Sequence, residues 1–119
     1  MENERRSAPR IRVNLQARWE GVLCKDLGAI SDLSRNGCFV LTGGQVELQE
    51  LVWIEIYLPD QEQPIHFWGE VVDAAHEIGF AVRFNAGDGD DHARLAKFIE
   101  SVFQSPPKGK LYDKSKFLA

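Results

Sequence analysis

Long hydrophobic runs are absent from this 119-residue sequence. Its apolar stretches last only a few residues, far short of the roughly 20 needed for a membrane-spanning helix. The opening residues, Met1-Glu2-Asn3-Glu4-Arg5, hold no apolar segment of the kind a secretory leader requires. Cysteine is scarce. Cys24 and Cys38 stand at no metal-ligand spacing and build no disulfide framework, which predicts buried, reduced thiols in a cytoplasmic protein. His66, His76 and His92 lie far apart, with no His-x-x-x-His or Cys-x-x-Cys frame for a metal. No Gly-x-Ser-x-Gly elbow supports Ser34 as a nucleophile. Walker and dinucleotide glycine patterns are also missing. Asp88, Asp90 and Asp91 superficially resemble a calcium loop, but the later bidentate glutamate is lacking; helix capping explains them better. No pair of groups points to catalysis, so the expectation is a non-enzyme without metal or cofactor.

Charge is unevenly spread. The net charge is −4. Residues 1–12 carry four arginines against Glu2 and Glu4, and residues 108–119 carry four lysines against Asp113. The intervening chain is therefore at −9. So acidic a body is a poor footprint for long nucleic acid, whose binding draws on neutralised phosphates. A single-stranded RNA or DNA barrel needs exposed aromatics on a basic groove, and fits badly. The basic ends can still meet a small anion.

What is present is a succession of short strands. Ile11, Val13, Leu15, Ala17 and Trp19 alternate with polar neighbours up to Glu20, a half-buried strand. Val22–Ser31 reads as a weaker second strand, with Val22, Cys24, Leu27, Ala29 and Ile30 facing inward. Cys38–Leu41, Leu51–Leu58, Ile65–Asp73 and Ile78–Phe84 follow, the fourth rich in β-branched and aromatic residues. In the fifth, Ile65, Phe67, Gly69 and Val71 share one face. Trp19 and Trp53 are assigned to the core, and Trp68 to the core or a cross-strand pair. Six short strands with hairpin-length connections predict one antiparallel barrel or sandwich. One helix closes the pattern. Asp90 or Asp91 caps it, Leu95, Phe98, Ile99, Val102 and Phe103 form its apolar stripe, and Pro106-Pro107 stops it.

Two polar clusters stand out. Arg5-Arg6-Ser7-Ala8-Pro9-Arg10 precedes the first strand. Asp32-Leu33-Ser34-Arg35-Asn36-Gly37 joins the second strand to the third. Alone, the latter is an ordinary turn, since Asp, Ser, Asn and Gly are all turn formers. Together, guanidinium forks and carboxylate and backbone acceptors suit a ligand bearing both a base edge and phosphates. Arginine bonds phosphate oxygens or the O6 and N7 edge of guanine in pairs, and its face stacks on a base.

The pair resembles the signature of the PilZ domain, a receptor for the bacterial second messenger cyclic di-GMP. Arg6 and Arg10 match its Arg-x-x-x-Arg; Asp32, Ser34 and Gly37 match its Asp/Asn-x-Ser-x-x-Gly. Gly79-Phe80-Ala81-Val82-Arg83-Phe84 is similar to the family's sixth strand. The likeness covers about residues 4–104. It implies a mainly β fold, a six-stranded antiparallel β-barrel with one C-terminal α-helix. Residues 1–10 are then a flexible, arginine-bearing ligand loop, 11–104 the barrel and helix, and 105–119 a mobile basic tail. It implies cyclic di-GMP held by Arg5, Arg6, Arg10, Asp32, Ser34 and Gly37, with Asp32 accepting from guanine N1 and N2. The Ser34 hydroxyl would meet phosphate or base, and Gly37 would let the turn bend. Arg5 favours a stacked pair of ligands. A stand-alone member would signal to an unidentified protein, without inserting in a membrane. The alternative is an adaptor that uses the barrel surface or tail without nucleotide.

Overall fold

A computed structural model describes residues 9–85 and 89–104. Six strands and one helix follow in order: β1 (Ile11–Glu20), β2 (Lys25–Leu33), β3 (Gly37–Leu41), β4 (Leu51–Ile56), β5 (Ile65–Ala75), β6 (Gly79–Phe84) and α1 (Gly89–Gln104). All pairings are antiparallel. The strands close into a barrel in the order β1-β2-β3-β6-β5-β4, with β4 returning to β1. The barrel, rather than the sandwich, is therefore the architecture, closed where Ala17–Glu20 of β1 meet Trp53–Ile56 of β4.

Period two sets which side chains fill it. β1 alternates strictly between buried and exposed, as its sequence predicts. Ile65, Phe67, Gly69 and Val71 face inward together from β5. Trp19 packs edge-to-face on Phe80 with ring centroids 5.0 Å apart, and its indole Nε1 donates to Thr42 Oγ1 at 3.2 Å. Phe67 stacks on Phe84 at 4.3 Å. Leu95 and Ile99 of α1 join this core, with Phe98 and Val102 partly buried beside it.

Helix α1 is tethered by polar contacts as well. His66 N donates to Asp91 Oδ2 at 2.9 Å. Arg94 donates to Gln61 Oε1 at 2.7 Å and to the carbonyls of Pro64 and Gln63. Arg94, in the second turn, thus clamps the loop before β5. Asp90 and Asp91 also place negative charge at the positive end of the helix.

Several expectations are corrected. Val22 is 81% exposed and Leu27 67% exposed. Gly21 N donates to Cys24 O at 2.8 Å, closing a turn that carries Val22 and Leu23 out of the sheet. Leu27 lies across the ladder from Arg18, an outward position of β1. Trp53 is not a core residue: buried Val52 and Ile54 flank it, so it points outward. There it faces Trp68, its cross-strand partner, at 5.3 Å. Phe103 is 51% exposed and stands off the buried stripe of α1. Cys38 is buried and Cys24 half-buried, and both thiols are free. Among the described residues no helix is long and apolar enough to cross a membrane, and no group of His, Cys, Asp or Glu is arranged to hold a metal ion.

Candidate functional site

The Asp32–Gly37 segment ends β2, turns, and begins β3. Its aim depends on a bulge. Ile30 pairs with Val40 and Asp32 with Phe39, so Ser31 is an extra residue opposite β3. Ile30 and Leu33 are both fully buried. Without the bulge, Asp32 would share the inward phase of Ile30. The extra residue turns the carboxylate outward, as bulges re-aim side chains next to binding sites. Arg12 stands across the ladder from Asp32 on β1, and the Ser31 hydroxyl lies 3.5 Å from Asp32 Oδ2.

Ser34 holds the turn. Its Oγ accepts from Asn36 N at 3.1 Å and from Gly37 N at 3.2 Å. The hydroxyl lies 3.4 Å from Gly37 O, to which it donates, and Ser34 N donates to the same carbonyl at 2.9 Å. This buried side chain satisfies two backbone donors that the turn leaves unpaired. The sequence expectation gave the hydroxyl to ligand; in this structure it is engaged within the turn.

Gly37 is required by proximity, not by backbone angle. It is absent from the positive-φ positions of the chain. A Cβ at Gly37 would collide with Val82 O on β6. Gly79, at the other end of the β3–β6 ladder, meets the same limit against Val40 O. Asn36 O accepts from Phe84 N at 2.7 Å, pinning the turn to the end of β6.

These elements border an open groove of about 870 Å³. Arg10, Asp32, Ser34 and Gly37 all line it. The last arginine of the first cluster and the whole second motif are therefore brought together. Arg5 and Arg6 lie outside the described residues. Sequence reasoning missed part of the lining. Phe39, Val72 and Ala81 supply an apolar floor, Asn36 a rim and Arg83 a second cation. Outward phase marks Phe39 and Arg83 in the sequence, but only the β3–β6 pairing brings them to the motif. Cys38 also borders the groove; burial pushes its thiol pKa up, which keeps it protonated and unreactive. Trp68 is not among the lining residues.

By architecture the protein falls in the class of small closed antiparallel β-barrels carrying one packed helix. A family model described as the PilZ domain matches residues 4–101, and the chain belongs to that family. PilZ domains are generally non-catalytic receptors for cyclic di-GMP. Solved structures share the fold. The PilZ domain of CeSA from a cellulose-synthesizing bacterium is 13% identical with a TM-score of 0.63, covering 79% of this chain and 97% of that one. The Bacillus subtilis inhibitor of motility MotI/DgrA is 17% identical with a TM-score of 0.65, covering 85% and 53% respectively. MrkH, described as a c-di-GMP-dependent transcription regulatory factor, is 19% identical with a TM-score of 0.68, covering 84% and 52%. The chain spans about half the length of the latter two. A search of curated proteins finds no significant match.

Proposed function

We propose that this protein is a non-catalytic receptor for cyclic di-GMP that passes the signal to a partner protein. The observation that carries the reading is the common groove of Arg10 and the Asp32–Gly37 turn, with Arg6 four residues before Arg10 in the chain. Asp32 would accept from the guanine N1 and N2 donors. Arg6 and Arg10 would bond phosphates or the guanine O6 and N7 edge. The turn held by Ser34 would present its backbone to the ligand, and Arg5 would meet a second, stacked molecule. Ligand would order residues 1–10 over the barrel and so change the surface a partner meets. Membership of the PilZ family supports the ligand class.

Calorimetric titration tests this and reads stoichiometry as well as affinity. Losing one charge-assisted contact costs about 1.5–3 kcal/mol. Arg6→Ala and Asp32→Ala should each weaken binding roughly ten- to a hundredfold. Wild-type affinity no better than that of Arg6→Ala would sink the proposal. A nucleotide-independent adaptor is the second reading, supported by the outward Trp68, which is 51% exposed. A partner interaction indifferent to cyclic di-GMP and to changes at Arg6 and Asp32 would favour it.

A further inference from the structure

Arg83 occupies a position that neither signature motif includes. It lies outward on β6, across one ladder from Gly37 and across the other from Glu70. It thus stands at the foot of the Asp32–Gly37 turn and lines the same groove. Its Nη2 donates to Glu70 Oε1 at 3.1 Å. The guanidinium carries five N–H donors in a fixed fork, and Glu70 engages one of its nitrogens. Arg10, Asp32 and Asn36 line the groove with it, and Glu70 is the carboxylate paired with Arg83.

We infer that Arg83 is a further contact for the phosphate of the bound nucleotide, and that Glu70 is a tethered anion competing for it. The ion pair is solvent-exposed on the arginine side and only partly covered on the glutamate side. Such pairs contribute little to stability, so a phosphodiester can take the place of the carboxylate at low cost. Phosphate oxygens match the arginine fork better than a single carboxylate oxygen does. Glu70 then has two effects. It holds the guanidinium at the mouth of the groove before ligand arrives, and by occupying that guanidinium it lowers the affinity for an anionic ligand. The groove is set to respond at a higher ligand concentration than its cations alone would give. The inference rests on the cyclic di-GMP reading above.

Calorimetric titration of the full chain with cyclic di-GMP tests it, using Glu70→Gln, Arg83→Gln and the double variant, with Asp32→Ala as reference. Glu70→Gln should bind roughly two- to fivefold more tightly, the size of effect expected for removing one partly exposed charge. Arg83→Gln should bind about tenfold more weakly. The double variant should match Arg83→Gln, because the competitor acts only through the arginine. Unchanged or weaker binding by Glu70→Gln, with normal wild-type binding and a weakened Asp32→Ala, overturns this inference and leaves the receptor reading standing. No binding by the wild type overturns both. Should Arg83→Gln fail to fold, Glu70→Gln decides the matter alone.

Discussion

Ser34 and Gly37 belong to one turn but fail differently when changed. Ser34→Ala removes the acceptor for two backbone N–H groups in a buried setting. Leaving such donors unsatisfied costs about 1–3 kcal/mol. The urea midpoint should fall by a corresponding amount, and affinity for cyclic di-GMP should fall with it because the turn loses its shape. A stability unchanged by Ser34→Ala would show that the hydroxyl does not hold the turn. Gly37→Ala acts through volume. Its Cβ would press on Val82 O, a backbone atom that cannot rotate away, so β3 and β6 must separate. Forcing atoms into a filled space costs about 1–3 kcal/mol. The same denaturation series should therefore place Gly37→Ala well below wild type, although alanine is elsewhere the mildest substitution for glycine. Gly43, with nothing within 4 Å of a Cβ, supplies the control. These residues were legible as a motif, but the reason for each was not. The sequence marks Gly37 as the residue that lets the turn bend, whereas the structure assigns it to strand approach.

At the level of elements, α1 provides a sharp contrast between two positions of one apolar stripe. Leu95 is fully buried and Phe103 half exposed, although both fall on the helical apolar period. Leu95→Ala should cost about 2–5 kcal/mol as a buried truncation. Phe103→Ala should fall within about 0.5 kcal/mol of wild type. Urea denaturation followed by far-ultraviolet circular dichroism measures both, and equal losses would contradict the packing described. Strand identity was readable wherever one face is buried and the other wet, as in β1 and β5. It failed at Val22 and Leu27, because apolar residues near a hairpin end need not point inward. It failed again at Trp53, where size outweighed phase in the reading: buried Val52 and Ile54 fix the outward direction of the residue between them. The bulge at Ser31 left no readable mark either. It lies in the register between β2 and β3, which no single strand's pattern displays, and it turns Asp32 outward. The site was therefore legible as a set of residue types, and its aim was not.

Across the whole molecule, the receptor reading makes a demand that local contacts do not. A ligand that binds only the folded chain stabilises it by mass action, by about 2.7 kcal/mol at a hundred times its Kd. For a domain of roughly 100 residues each kcal/mol shifts Tm by about 4 °C or more. Saturating cyclic di-GMP should thus raise Tm by about 10 °C, and Asp32→Ala should lose most of that rise at the same ligand concentration. The distribution of the gain separates the two parts of the proposal. If ligand orders the arginine segment over the barrel, amide exchange should slow at residues 1–10 and at the Asp32–Gly37 turn. It should slow much less at Leu95 and Ile99, which pack in the core away from the groove. The acidic body sharpens this expectation. With residues 13–107 at −9, an anionic ligand has few places to rest except where Arg6, Arg10 and Arg83 offset that charge. Exchange that slows at the turn but not at residues 1–10 would retain the receptor and discard the ordering mechanism. A Tm rise that persists undiminished in Asp32→Ala would move the binding site away from this groove altogether.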